Sequence, residues 1–430
     1  MQGNVRRGVA CFVVLQMQGT RLWYSSGMVF RNENRVCGLA RVTHLNTDSA
    51  GEQPAPVILQ VLPRLVTGGV ERGTVEVAAA LQAAGWKAVV ASEGGPMVRE
   101  LDRVGALHVT LPMASKNPCR LRANTDALRS LIREHGVSLV HVRSRAPGWA
   151  ALRAARSEGV PLVTTFHGTY NLGLLGIKRP YNKVMVMGDR VIAISRFIRG
   201  HILDHYLPDD GPVRVIHRGV DISRFDPDRV SAERMIQLSR KWRLSDGEPV
   251  IMLPGRLTRW KGQLLLIDAL SRLKDRRFRC ILVGSDQGRT SFRRKLERAV
   301  IRAGLEDRVL LAGECNDMPA AYMVSDVVVS ASTDPEAFGR VCAEGQAMGR
   351  PVVAPDHGAA PEIVEPGRTG WLFAPGHADS LAAALAECLD LDAAQRLELS
   401  ARAIAHVREQ FTTDAMCRQT LDVYRELLGR

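Results

Sequence analysis

Short β-branched apolar runs recur along this chain, and most are followed by a segment whose apolar residues return with helical spacing. Around residues 326–356, DVVVSAS precedes a loop, then RVCAEGQAMG carries Val341, Ala343, Ala347 and Met348 at helical intervals and is stopped by Gly349 and Pro351; PVVAPD follows. Apolar runs without polar alternation are those of parallel strands covered on both faces, and parallel strands need a crossover between them. The chain is thereby confined to an open α/β sheet with helices on both sides.

The pattern runs through the chain twice. VILQVLP, KAVVAS, VSLVHVRS, PLVTTFHG and DRVIAIS form the first series of strands, and TGGVERGTVEVAAALQAAG is the helix that follows the first of them. After VRVIHRGVD comes a helical linker over 222–247, then PVIMLPGRL, FRCILVGSD, RVLLAGE, DVVVSAS and PVVAPD. The expected fold class is α/β, with two Rossmann-like doubly wound domains facing across a cleft. The expected division is an N-terminal extension over 1–54, poorly ordered, a first domain over 55–235 and a second over 236–410, with a C-terminal helix over 411–430 packing back on the first. The extension is basic and loop-like, with Met28 as an internal start, and lacks the long apolar segment of a signal peptide.

A length of 430 residues suffices for two such cores. No apolar stretch approaches the roughly 20 residues that span a bilayer. The eight cysteines include no C-x-x-C pair, which speaks against zinc and against a disulfide framework and fits a reducing cytoplasm. Nearly all of the formal net charge of +13 lies in the first 235 residues. That asymmetry fits a domain meeting an acidic partner, and equally a solvated basic surface.

Ligands of doubly wound sheets collect where strand C-termini meet helix N-termini. There the free N–H groups near Phe338, Gly339 and Arg340 suit an anion, with Glu336 just before the helix and Glu344 inside it. In the same domain, Arg256 and Lys261 bracket the loop after a buried strand, a fork and a point charge fit for a diphosphate; alone such a pair is more often solvent-exposed, and its force comes from recurring beside the acidic segment. VTGGVERG stands where a dinucleotide enzyme would carry G-x-G-x-x-G, and no Walker A lysine motif follows. Gly68 and Gly69 are then either a ligand loop or a tight turn only.

The motifs GGVER, TTFHG, AISRF, RGVD, GRLTRWKG, ILVG and EAFGRVCAE, followed by GRPVVAPDHGAAPEIV, occur in an order that resembles the retaining, nucleotide-sugar-dependent glycosyltransferases of family 4, with the GT-B fold, from residue 57 to the end. The resemblance implies a nucleoside-diphosphate sugar as donor and no metal or other cofactor. It places Glu336 at the donor sugar hydroxyls, Glu344 at the ribose, Arg256 and Lys261 with the amides of Gly339, Arg340 and Val341 at the leaving diphosphate, and Gly68 and Gly69 in a loop closing over sugar and phosphate. His167 matches a cleft histidine, and a structural histidine would also satisfy the position. No protein nucleophile is implied. Lipopolysaccharide-core and surface-polysaccharide members are the most similar, which implies a cell-envelope glycan or lipid-linked acceptor and a cytoplasmic enzyme, with the anionic inner face of the membrane as a candidate peripheral contact. Arg218 departs from the asparagine common in the family and is either a further phosphate or acceptor contact or a surface charge, and EAFG replaces Glu-Gly-Phe-Gly. A nucleotide-sugar 2-epimerase shares the architecture but needs an acid/base set that is not evident. A nucleic-acid-binding protein would fit the charge but lacks reading aromatics.

Overall fold

The structure is a computed structural model that describes residues 54–430 except 67, 116, 174 and 175, and it omits the side chains of 118 and 119. The N-terminal extension read from the sequence lies, through residue 53, outside the described residues. Seven parallel strands form the first sheet: β1 (Val57–Val61), β2 (Lys87–Ser92), β3 (Leu107–Thr110), β4 (Leu139–Val142), β5 (Leu162–Phe166), β6 (Arg190–Ala193) and β7 (Val213–Val215). Their spatial order is β3-β2-β1-β4-β5-β6-β7. Six more form the second: β8 (Val250–Pro254), β9 (Arg279–Val283), β10 (Val309–Gly313), β11 (Val327–Val329), β12 (Val352–Pro355) and β13 (Gly370–Phe373), in the order β10-β9-β8-β11-β12-β13. Both sheets therefore wind outward from their first strand and then reverse, the two-domain Rossmann-like arrangement of the GT-B fold.

Each sheet has its crevice at this reversal, between β1 and β4 in the first and between β8 and β11 in the second. The strand sequences explain why both faces are covered. Leu59, Val61, Val140 and Val142 join Leu128 and Ala154 in one layer, while Ile58, Leu139 and Val163 turn to the opposite layer with Val77 and Leu81. Neither face meets water, so the strands read as mainly apolar runs, and the polar residues within them, Gln60, His141, Thr164 and Thr165, are buried and hydrogen-bonded.

Two strands escape that reading for different reasons. β3 is an edge strand whose four residues are all partly or fully exposed, so it needs no apolar run. β13 opens with Gly370, where a β-carbon would stand 2.2 Å from the Val352 carbonyl oxygen. Close approach to β12, rather than β propensity, selects that residue.

The chain passes between the two sheets after β7 and returns before its last helix, Thr413–Leu428. The two crossings lie side by side: Val220 N–H donates to the Phe411 carbonyl at 2.7 Å, and Thr413 N–H to the Val220 carbonyl at 3.0 Å. Gly219 permits the contact, since a β-carbon there would stand 2.3 Å from the Thr413 Cα. Met416, Leu421 and Tyr424 of the last helix then enter the same layer as Val77 and Leu81 of the helix Gly69–Ala83. No helix among the described residues is long and apolar enough to cross a membrane.

Candidate active site

The second sheet delivers its site residues from the ends of β8 and β11. Lys261 closes a short 3-10 turn after β8, and Gly262 follows with φ 71°. A β-carbon at Gly262 would stand 1.7 Å from the Ala331 carbonyl oxygen, so only glycine lets this turn abut the end of β11. Thr333 N–H then donates to the Trp260 carbonyl at 2.8 Å. The consequence is a contact that sequence separation hides: Lys261 Nζ donates to Glu336 Oε1 at 2.7 Å, with both side chains less than one-fifth exposed. Ser332 Oγ donates to the same oxygen, and the Lys261 ammonium lies 4.4 Å from the Trp260 ring centroid.

Glu344 lies in the helix Arg340–Ala347 and is 8% exposed. Tyr322 Oη donates to one carboxylate oxygen at 3.0 Å and Arg340 Nη2 to the other at 2.6 Å. That leaves lone pairs on both oxygens for further donors. The charge of Glu344 is the main reason the Arg340 guanidinium holds its proton even more tightly than usual. Gly339, at φ 82°, caps this helix, and the amides of Gly339, Arg340 and Val341 meet no acceptor among the described residues. Arg256 is exposed, and its guanidinium has no partner there either.

The structure thus brings Lys261 and Glu336 into one ion pair and Arg340 and Glu344 into another. It leaves Arg256 and the helix amides open to an anion. The two cations that the sequence grouped at a diphosphate differ in state: Arg256 is free, while Lys261 is engaged by a carboxylate.

The first sheet presents Gly68, Gly69 and His167. Gly68 is extended, with φ −179°, and Gly69 begins the helix Gly69–Ala83. Neither is left-handed, so backbone strain does not demand glycine at either position. A β-carbon at Gly69 would meet nothing within 4 Å, so the space beside it is open.

His167 follows β5, and its Nε2 is buried without a hydrogen-bond partner. Burial, then the positive charges of Arg218 and Arg143, push its proton affinity well below the usual histidine range, so the ring is neutral.

Arg218 is no surface charge: it is buried, and its Nη2 donates to the Gly69 carbonyl. Burial lowers its pKa to about 10, against the pull of Glu76. Arg143, also buried, donates through Nε to Gln60 Oε1 at 2.7 Å. Sequence reasoning overlooked both Arg143 and Glu76. Arg143 follows VSLVHV just as Arg256 follows PVIMLPG, so the signal used for one was present for the other.

Two family models match the chain: Glycosyltransferase Family 4 over residues 67–224 and Glycosyl transferases group 1 over 248–391. A D-inositol 3-phosphate glycosyltransferase of Xylanimonas cellulosilytica is 32% identical over 311 residues, which cover 68% of this chain and 72% of that protein. The crystal structure of a glycosyltransferase from Rickettsia africae is 35% identical, with a TM-score of 0.82, covering 87% of this chain and 99% of that one. Anabaena HepE in complex with UDP and glucose is 24% identical, with a TM-score of 0.74, covering 86% and 100%, and shares the fold. Sheet order and sequence agree: the chain belongs to the GT-B glycosyltransferases, with a family 4 first half and a group 1 second half.

Proposed function

We propose that this glycosyltransferase takes its sugar from a nucleoside-diphosphate sugar and transfers it, with retention, to a cell-envelope glycan or lipid-linked acceptor. The observation that carries the donor assignment is the arrangement along one edge of the second sheet: free Arg256, the Lys261–Glu336 pair and the open helix N-terminus at Gly339. Breaking the anomeric C–O bond puts negative charge on the leaving diphosphate. Arg256, Lys261 and the amides of Gly339, Arg340 and Val341 supply fixed positive potential for that charge, the role a divalent cation would otherwise fill. Glu336, oriented by Lys261 and Ser332, accepts from sugar hydroxyls; Glu344 accepts from the ribose. His167 and the open space beside Gly69 face the sugar and phosphate from the first half.

In this reading the acceptor binds residues 55–235 with the C-terminal helix 411–430, and the donor binds 236–410. Ile177, 77% exposed, and Tyr181 stand among Lys178, Arg179 and Lys183, none with an acidic partner among the described residues. An apolar and basic surface of this kind suits the anionic inner face of the cytoplasmic membrane, where a lipid-linked acceptor would lie.

The test is nucleoside-diphosphate release from a panel of uridine, guanosine and adenosine diphosphate sugars, with EDTA present. Acceptors are membrane extract and, following the Xylanimonas relative's name, an inositol phosphate. Acceptor-dependent release with retained anomeric configuration supports the proposal. Release without transfer, with an isomerised free sugar, would support an epimerase instead, and dependence on added metal would overturn the metal-free step.

A further inference from the structure

Glu362 belongs to the second half of the chain, yet every hydrogen bond of its carboxylate goes to the first. Its Oε2 accepts from Arg196 N–H at 2.7 Å and from His217 Nε2 at 2.8 Å, and its Oε1 accepts from Phe197 N–H at 2.7 Å. Arg196 and Phe197 begin the ten-residue helix Arg196–His205, whose next free amide, Ile198 N–H, is already taken by Ser195 Oγ at 3.1 Å. A carboxylate from the other half of the molecule therefore completes this helix start, where the helix dipole favours negative charge. Burial alone would push the Glu362 carboxyl up, but His217 and the two amides outweigh it and hold it below the usual range.

The segment carrying Glu362 also holds the loop of Glu336. His357 Nε2 lies 3.0 Å from the Ser332 carbonyl oxygen, and Ala359 N–H donates to the Glu336 carbonyl at 2.9 Å. Gly358, at φ 62°, sits so close that a β-carbon there would stand 2.7 Å from the Glu336 carbonyl oxygen and 2.8 Å from its amide nitrogen. Three residues beyond Ala359, the same segment grips the first half through Glu362. A single short span thus ties the approach of the two halves to the backbone of Glu336.

We propose that Glu362 is a positioning residue for sugar transfer: by docking on the Arg196–His205 helix and His217, it fixes the Ser332–Glu336 loop in its working geometry. This rests on the reading of Glu336 as the group that faces the donor sugar. Glutamine at 362 keeps the shape but offers one acceptor oxygen to three donors and turns an amide group toward the rest.

The test compares Glu362→Gln, Glu336→Gln and the double variant in the full chain, measuring transfer rate, donor KM and affinity for free nucleoside diphosphate. The expected result for Glu362→Gln is about a tenfold fall in kcat, with nucleotide affinity unchanged. The double variant should be no slower than Glu336→Gln alone, because one acts through the other. His217→Leu, which removes one donor of three, should show a smaller loss confined to kcat; it also keeps the test decisive should Glu362→Gln fail to fold. Additive losses in the double variant, or wild-type kcat in Glu362→Gln or in His217→Leu, would overturn the positioning role. A wild-type rate in Glu336→Gln would instead remove the reading on which it rests.

Discussion

The guanidinium of Arg218 fills the space in which a side chain at Gly73 would begin: a β-carbon there would stand 2.3 Å from Nη1 and 2.6 Å from Nη2. The glycine in GGVERG and the arginine in RGVD, far apart in sequence, are one structural unit. Alanine in a helix interior is ordinarily worth about 1 kcal/mol over glycine. Here overlap costs about 1–3 kcal/mol and displaces the bond from Arg218 to the Gly69 carbonyl. Gly73→Ala is therefore expected to destabilise the fold by about 1–3 kcal/mol in urea titration. With Arg218→Ala in place the same change should become stabilising, and the lack of this sign reversal would break the pairing.

The two glutamates should separate by role. Glu344→Ala is expected to weaken binding of free nucleoside diphosphate by about 2 kcal/mol, close to 30-fold, in isothermal titration. Glu336→Ala should leave that affinity within about threefold and slow transfer at least 30-fold. Equal affinity loss in both variants would contradict the assignment.

Arg256 and Lys261 should each count at the transition state. Replacing either with alanine is expected to cost about 2 kcal/mol, or 30-fold in kcat/KM. Near-wild-type turnover in one variant would remove that residue from the diphosphate grip.

Acidification should destabilise the protein below about pH 6.5. Burial, with the charge of Arg143, holds His141 well below its usual range, and burial with the charges of Arg218 and Arg143 does the same for His167. In this window the unfolded chain takes up these protons first, so stability falls as pH falls, by about 1.4 kcal/mol per unit for each histidine. Glu76, pushed up chiefly by burial, binds its proton first in the folded state and offsets part of the loss above pH 4.5. The net slope of the urea midpoint between pH 7.5 and 5.5 should be positive with pH and should flatten in His141→Gln. A slope of the opposite sign would show that Glu76 dominates.

Association with membranes should be electrostatic and reversible. Each cation near an anionic surface is worth about 1 kcal/mol. Co-sedimentation with anionic vesicles is expected at low salt, with release at high salt and loss of most binding when Lys178, Arg179 and Lys183 become glutamate. Equal binding to neutral vesicles would exclude the basic surface as its cause.

Much of this arrangement is legible in the sequence because it is local. The period of Val341, Ala343, Ala347 and Met348 places Glu344 on a helix, and the helix is there. Apolar runs mark the strands that are covered on both faces, and miss β3 because an edge strand is under no such demand. What is not legible depends on long-range contact. Lys261 and Glu336 meet because Gly262 lets two loops touch, and the burial of Arg218 depends on an absent side chain at position 73. No spacing rule connects such pairs, which is also why Arg218 could be read as a surface charge.

The last helix, Thr413–Leu428, carries a consequence for synthesis. Tyr424 Oη lies 2.5 Å from Nδ1 of the buried His141, and Glu426 receives Arg190 and Arg214 from β6 and β7. These partners leave the ribosome 212 to 283 residues before the side chains that complete them, a delay of about 10–60 s at about 5–20 residues per second. During that interval the face of the nascent first sheet that carries Val77 and Leu81 stays incompletely covered while the second half is made. The carboxyl end is thus the closing piece of the amino-terminal half, and a release that stopped short of Thr413 would yield two sheets of which only the later-made one is fully clothed.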